Sequence, residues 1–340
     1  DESRWYQNLY TGSHHVSFRT VVSTELGEIA VAPGYLEREW VEGDRAYFEY
    51  VMDRPILNFY AWLSADYEVA ERTTESGIAL SVLYHEDHAW NVERMLEASE
   101  DALDYFSEHL SPYQYRQYRV LEFPDYATFA QAFPNTIPFS EGIGFIADLT
   151  DGDDIDYVYY VTAHEAAHQW WAHQVIPANV QGGTMLVETF AQYSALMLMR
   201  NQYGEDHMRR FLKFELDNYL TNRGSEAIEE QPLYRVENQD YIHYRKGAVI
   251  MYALQDYVGE AVVDRAMQRL LERYAFQSDP YPTTMSFLTL LREEAGPEHE
   301  QMIHDFFERI VLFDLKVTEA TATEREDGRW DVVIDVESRK

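Results

Sequence analysis

The amino-acid sequence predicts an α+β fold that is mainly helical after residue 154. Apolar and polar residues alternate in the first part of the chain, for example over residues 46–52, as is typical of half-buried strands. Between about residues 154 and 311 the apolar residues recur at helical spacing instead. Alternation returns after residue 312, so the order of elements is β, mixed, α and then β again.

Composition and charge exclude several classes of function. The chain has 340 residues, and 27 Lys and Arg against 60 Asp and Glu give it a formal net charge of −33. A field of that sign repels phosphate groups, so we expect no nucleic-acid partner. There is no Cys, which excludes disulfides, thiolate nucleophiles and Cys-ligated zinc. No apolar run approaches the roughly 18 residues that a membrane helix needs.

The first 152 residues are predicted to contain strands and one long helix. Residues 78–84 are apolar enough to form a buried strand, and residues 118–123 form a second one. Between them, residues 92–110 place their apolar side chains on one helical face, and Pro112 follows the end of that helix. Residues 124–152 are rich in Pro and Gly, which predicts loops.

These patterns predict three domains. Residues 1–77 are assigned to the end of an N-terminal β domain, and residues 78–311 to a central domain. Residues 312–340 form the start of a truncated β domain, in which Asp327-Gly328 indicates a hairpin turn. Because the chain stops inside a strand-like pattern, we expect it to be a piece of a longer protein.

The most informative motif is His164-Glu165-Ala-Ala-His168, within a predicted helix. Residues four apart lie on one face of a helix, so both imidazoles can reach one metal ion. Glu165 points about a hundred degrees around the helix. It is therefore a poor ligand but is well placed to take a proton from a metal-bound water. The alternative is a helix with two ordinary histidines.

A catalytic zinc ion needs a third protein ligand and one open position. Glu188 lies among apolar residues in the next predicted helix, where an unpaired carboxylate is costly. We therefore predict that His164, His168 and Glu188 hold one zinc ion. A solvated Glu188 is the alternative.

At this point the sequence resembles a known family. The run from His164 to Trp171 and the later run Glu188-Thr-Phe-Ala-Gln-Tyr193 are similar to those of the gluzincin aminopeptidases, of the aminopeptidase N and leukotriene hydrolase type. The resemblance is closest to variants fused to bacterial ABC-transporter permeases. It implies a thermolysin-like catalytic domain over residues 78–311. The family has eighteen residues between the second His and the Glu, whereas this chain has nineteen, and we assign the extra one to the loop at 177–183.

The resemblance extends to two more segments. Tyr244 matches the family's Y-x-K-G, whose Tyr stabilises the oxyanion, with Tyr241 as the competing candidate. The segment containing Glu141, Gly142 and Gly144 sits where the family has G-A-M-E-N-P-G. This match implies that Glu141 binds the free amine of the substrate and that the two glycines let its backbone approach.

The sequence therefore predicts a zinc metallopeptidase acting on peptides, most simply an aminopeptidase. Two alternatives keep the metal: endopeptidase or epoxide hydrolase activity, or a non-catalytic peptide-binding module of a transporter. The resemblance implies that membrane permease segments outside this sequence are partners. It also implies that the chain is a soluble domain of a bacterial membrane-attached protein. Side-chain preference and oligomeric state are not predicted.

Overall fold

A computed structural model describes residues 15–150, 155–277 and 279–339. Within these ranges the strands fall in the first half of the chain and at its end. In chain order they are β1 His15–Val16, β2 Arg19–Glu25, β3 Ile29–Val31, β4 Tyr35–Glu42, β5 Arg45–Val51, β6 Ile56–Leu57, β7 Leu63–Ala65, β8 Glu68–Thr73, β9 Ala79–Tyr84, β10 Gln117–Phe123, β11 Thr136–Ser140, β12 Asp314–Glu324 and β13 Trp330–Arg339.

The helices lie between these two groups of strands. They are α1 Val92–His109, α2 Tyr157–Ala167, α3 Phe190–Tyr203, α4 Glu205–Ser225, α5 Gly247–Val258, α6 Glu260–Tyr274, α7 Thr284–Ala295 and α8 Glu300–Ile303. Three π-helical turns adjoin them: Met185–Thr189, Tyr241–Lys246 and His304–Glu308. The observed order confirms an α+β fold that is mainly helical after residue 154.

The N-terminal strands form small antiparallel sheets around a core of their own. β5 lies between β2 and β4, while β1 pairs with β6 and β3 pairs with β7. Alternate residues of β5 point inward, and Phe48 and Tyr50 are buried together with Phe18 and Ile56. This alternation is the period-two pattern that the sequence predicts for strands.

A second, four-stranded sheet has the order β11-β10-β9-β8. β9, β10 and β11 are parallel, and β8 is an antiparallel edge strand. β8 precedes the predicted domain boundary at residue 77 but pairs with β9 beyond it. β11 lies within residues 124–152, where the sequence predicts loops, so that prediction is wrong for residues 136–140.

The helical part packs on this sheet through α1. Its predicted apolar face is buried, including Met95, Leu103 and Phe106, and the helix ends at His109 as the following Pro112 leads us to expect. α2 then packs between α1 and α3. Because α2 has neighbours on both sides, nearly all of its side chains are buried rather than one face alone.

The last two strands form an antiparallel hairpin, as the Asp327-Gly328 signal predicts. Gly328 has a φ of 77°, which suits glycine in the turn. Every residue of β12 and β13 is exposed, including apolar ones such as Val332 and Ile334. The three-domain division itself stays a prediction. Within the described ranges, no helix is both long and apolar enough to cross a lipid bilayer.

Candidate metal centre

Helix α2 brings His164 and His168 together. The carboxylate of Asp156 caps its first turn by accepting a hydrogen bond of 3.0 Å from the Tyr159 backbone N–H. One turn apart on the same face, the two imidazoles place their Nε2 atoms 3.0 Å from each other. His168 also donates from Nδ1 to the carbonyl of Trp171 at 3.0 Å, which leaves its Nε2 as the free ligand atom.

Glu188 completes a triangle of donor atoms. Its Oε2 lies 3.4 Å from Nε2 of His164 and 3.3 Å from Nε2 of His168. Ligands at about 2.0–2.1 Å around a tetrahedral zinc ion lie about 3.3–3.4 Å from one another. The two distances from Glu188 match this spacing, and the 3.0 Å between the two Nε2 atoms is slightly shorter.

The hydrogen bonds at this triangle also suit a cation. Among the described residues, Oε2 of Glu188, which faces both histidines, is buried and has no hydrogen-bond partner. Burial lowers the pKa of His168, but the Glu188 carboxylate outweighs it and raises that pKa to about 9. Burial opposes ionisation of Glu188, yet the two histidines hold its pKa well below the usual range. The ionised Glu188 carboxylate thus favours positive charge between the three side chains. A zinc ion would compete with the proton of His168 for this position.

The π-helical turn Met185–Thr189 holds Glu188 in this position. A π turn contains more residues than an α turn, so it is a second place for the extra residue assigned to the loop at 177–183. An extra residue within a regular α-helix would rotate Glu188 about a hundred degrees away from the histidines. In this π turn its carboxylate nevertheless faces both of them.

Glu165 lies beside the triangle as a buried carboxyl group. It is 6% exposed, and its Oε2 has no hydrogen-bond partner among the described residues. Burial raises its pKa, while His168 and His164 oppose that shift. The backbone N–H of Ala132 also lowers the pKa of this carboxyl group. A buried carboxyl group with a raised pKa binds a proton more readily than an exposed one.

Tyr244, not Tyr241, is the tyrosine at the site. The ring centroid of Tyr244 is 6.0 Å from that of His164, whereas Tyr241 stacks on Tyr219 with centroids 6.1 Å apart. Burial and the nearby Glu188 raise the pKa of Tyr244 well above its usual value. Its phenol therefore stays protonated and can donate a hydrogen bond.

A hydrogen bond joins the two π turns that hold Glu188 and Tyr244. Thr189, next to Glu188, donates from its hydroxyl to the carbonyl of His243, next to Tyr244, at 2.6 Å. A Cβ on Gly247 would lie 2.5 Å from the Thr189 hydroxyl, so the glycine allows this close approach. Thr189 thus connects the metal-ligand turn to the tyrosine turn.

An open cavity of about 240 Å³ borders the triangle. The sequence motifs identify only some of the residues that line it. It is lined by Leu57, Phe59, Gln131, Ala132, His168, Ala172, His173, Thr184, Val187, Glu188, Asp240, His243 and Tyr244. Leu57 ends β6 and Phe59 follows it, and no motif marks them. His173, five residues after His168, donates from Nε2 to the carbonyl of Ala132 at 3.0 Å.

Glu141, Gly142 and Gly144 do not line this cavity. Glu141 lies after β11, where its Oε2 is 3.8 Å from Nδ1 of His88 and its Oε1 accepts from the Asp125 N–H at 3.1 Å. A Cβ on Gly144 would lie 2.6 Å from Met95 and Phe139, so this glycine serves close packing. Amine binding by Glu141 stays a prediction.

Comparisons with known proteins show what the chain is similar to. The sequence profile of the peptidase family M1 domain matches residues 94–309. Endoplasmic reticulum aminopeptidase 2 of Homo sapiens is 25% identical over 226 residues, which cover 64% of this chain and 23% of that protein. Probable aminopeptidase 1 of Sulfurisphaera tokodaii is 26% identical over 191 residues, covering 54% of this chain and 24% of that protein. The chain spans about a quarter of the length of these curated relatives.

Solved structures share the fold. A crystal structure of a mutant M1 zinc metallopeptidase from Deinococcus radiodurans has a TM-score of 0.65 at 19% identity, covering 88% of this chain and 66% of that one. A two-domain M1 zinc metallopeptidase mutant bound to L-tryptophan has a TM-score of 0.68 at 18% identity, covering 88% of this chain and 65% of that one.

Proposed function

Because this chain belongs to peptidase family M1, we propose that it is a zinc-dependent metallopeptidase of the aminopeptidase N type with a thermolysin-like catalytic domain. We propose aminopeptidase action because the curated relatives above are named aminopeptidases. The observation that carries the metal assignment is the triangle of His164, His168 and Glu188, whose three close donor atoms, with the unpartnered Oε2 of Glu188 among them, suit one tetrahedral zinc ion.

The proposed chemistry divides between the metal and two side chains. A bound zinc ion would act as a Lewis acid and lower the pKa of a water molecule beside it. Glu165 takes a proton from the attacking water and then delivers it to the leaving amine. Its raised pKa favours this role, because a strongly acidic carboxyl would release the proton too readily. Tyr244 donates its phenol hydrogen to the oxyanion that forms at the scissile carbonyl.

Substrate binding is proposed at the cavity beside the triangle. Leu57 and Phe59 give this space an apolar wall, and Asp240 and His243 give it a polar one. Glu141 remains the proposed anchor for the substrate amine, on the family resemblance alone. On the same basis we propose that the chain belongs to a bacterial membrane-attached protein with permease segments. Membrane fractionation of the full-length gene product tests that attachment.

The test of the function compares wild type with Glu165→Gln on peptides with free and with blocked N-termini. We expect the zinc-loaded wild type to cleave free-amine peptides, and Glu165→Gln to keep its zinc but lose turnover by at least about 10²-fold. Preference for blocked peptides would instead indicate an endopeptidase. Peptide binding without any cleavage would indicate a peptide-binding module and refute the enzyme.

A further inference from the structure

The π turn that carries Tyr244 is anchored by the two residues that follow this tyrosine. Arg245 donates from Nη1 to Oε1 and Oε2 of Glu215 at 3.1 and 3.2 Å. Lys246 is bonded to the buried carboxylate of Glu230. The backbone is therefore held by two ion pairs directly after Tyr244.

Glu215 also reaches the helix that carries the two histidines. It lies on α4 and is 1% exposed. The phenol of Tyr160 donates to its Oε1 at 2.9 Å, and the side chain of Gln192 contacts the same hydroxyl at 2.8 Å. Tyr160 lies on α2, one turn before His164 and on the same face. One buried carboxylate thus joins α2, through Tyr160, to the tyrosine turn, through Arg245.

These contacts hold the two segments at a fixed separation. A buried carboxylate is costly unless it is paired and hydrogen-bonded. Glu215 meets that need with a cation from the turn and a phenol from α2. Moving the turn away from α2 would break one of these bonds and leave a buried polar group without its partner, which is strongly unfavourable.

Glu230 does not join the same two segments. Besides Lys246, it accepts from Tyr219 and is paired with Arg223, and both of these residues lie on α4. Glu230 therefore fixes the turn to α4, whereas Glu215 fixes it to α2 as well.

The ring of Tyr244 extends from this anchored turn to the histidines, with its centroid 6.0 Å from that of His164. We propose that Glu215 is a positioning residue that, by joining Tyr160 to Arg245, holds the Tyr244 phenol at the metal centre. The inference rests on the proposed function, because it is expressed through Tyr244 as the oxyanion donor. Since that donor acts on charge that appears only in the transition state, a loosened turn should lower kcat rather than raise KM.

The test measures kcat, KM and zinc content of Glu215→Gln, which keeps the size of the side chain and removes its charge. We expect kcat to fall about 10–100-fold, the range for losing a partner that orients a functional side chain. KM and zinc content should stay near the wild-type values. In a Tyr244→Phe background the same substitution should lower kcat by less than about 2-fold, because the phenol that it positions is already absent.

Tyr160→Phe is a milder second variant, and it decides the question if Glu215→Gln does not fold. It removes the bond to α2 and leaves the ion pair between Glu215 and Arg245 in place. We expect it to lower kcat roughly 2–10-fold, the effect of one hydrogen bond. This fall should also disappear in the Tyr244→Phe background.

Glu260→Gln is the matched control. Glu260 likewise accepts from a tyrosine, Tyr105, at 3.0 Å and is paired with an arginine, Arg200. These three residues join α6, α1 and α3 instead of α2 and the tyrosine turn. The substitution should leave kcat, KM and zinc content unchanged.

The outcomes separate the two claims. Wild-type kcat in both Glu215→Gln and Tyr160→Phe would overturn the positioning role while leaving the peptidase intact. Equal falls in kcat with and without the Tyr244 phenol would also overturn it, since the damage would not act through Tyr244. Loss of zinc from Glu215→Gln would overturn it as well, because the effect would then lie on the histidines. No hydrolysis by the zinc-loaded wild type would refute the proposed function itself.

Discussion

Of three clusters of His and carboxylate side chains among the described residues, two differ in how their donor atoms are satisfied. His164, His168 and Glu188 form the first, and His88, Glu122 and Glu141 form the second. In each, three donor atoms lie within 4.8 Å of one another. In the first, Oε2 of Glu188 is buried and has no hydrogen-bond partner.

The second cluster satisfies its own hydrogen bonds. Nδ1 of His88 is bonded to Oε1 of Glu122, and Oε2 of Glu122 accepts from the His85 N–H at 2.8 Å. Glu141 accepts from Asp125. The buried Glu122 therefore already has a cationic partner when His88 is protonated. Residue types and proximity are therefore similar in the two clusters, whereas a buried carboxylate oxygen without a partner sets the proposed metal site apart from the second one.

The largest expected difference is in zinc retention. Glu188→Ala should lose nearly all bound zinc and all hydrolysis, because two imidazoles alone leave the metal with too few protein ligands. Glu141→Ala is the matched change in the second cluster and should keep about one zinc ion per chain. Elemental analysis after dialysis measures both. Two zinc ions in the wild type, or equal zinc in both variants, would contradict the comparison.

The next largest effect concerns Tyr244. Tyr244→Phe should lower kcat by about 10²–10³-fold, because it removes a donor aimed at charge that appears only in the transition state. KM and zinc content should change little. Tyr241→Phe is the control, since that ring packs against Tyr219 away from the histidines. Steady-state kinetics measures kcat of both variants. A low kcat for Tyr241→Phe with a wild-type kcat for Tyr244→Phe would make Tyr241 the oxyanion donor instead.

Gly144 tests whether the region around the second cluster is structural. Gly144→Ala should lower the free energy of unfolding by about 1–3 kcal/mol, since its Cβ would overlap Met95 and Phe139. The control must be a glycine without a positive φ, because a side chain is strained in that conformation. Gly259, with a φ of 89°, is therefore unsuitable. Gly224→Ala is suitable, because a Cβ there meets nothing within 4 Å. Denaturant unfolding measures the free energy of unfolding of both variants. An unchanged value for Gly144→Ala would argue against close packing at Gly144.

The smallest effect is a pH dependence at His88. The hydrogen bond to Glu122 is the main cause that raises the pKa of His88 above its unfolded value of about 6.5. The bond's contribution to stability is therefore fully present below about pH 6.5 and is lost as pH rises through the folded pKa. His88→Gln should cost about 1–2 kcal/mol at low pH and less at high pH. Urea unfolding at several pH values gives the difference in the free energy of unfolding between wild type and His88→Gln. A difference that grows with pH would contradict the pairing of His88 with Glu122.

Local periodicity predicted much of the site. His164, Glu165 and His168 follow from a four-residue spacing that any helix turns into one face. The buried face of α1 and the hairpin at Gly328 likewise depend on neighbours in sequence. Glu188 was predicted from its carboxylate among apolar residues, whereas Tyr244 needed the family resemblance. Spacing alone predicts neither, because their approach to the histidines depends on packing between helices.

What the sequence could not predict depends on distant contacts. β11 lies in a Pro- and Gly-rich stretch, and it is a strand because β10 supplies a partner with a parallel register. Leu57, at the end of β6, and Phe59, just after it, reach the cavity from more than a hundred residues before the histidines, and no local pattern marks them. The π turn at Met185–Thr189 depends in the same way on what surrounds it.

The hydrogen bond from Thr189 to the carbonyl of His243 has a mechanical consequence. It braces the segment carrying Glu188 against the segment carrying Tyr244, so neither can shift far alone. Loading a cation would pull Glu188 into a fixed position and, through this brace, steady the phenol as well. Binding of the metal ion would then also align the Tyr244 phenol, the proposed oxyanion donor.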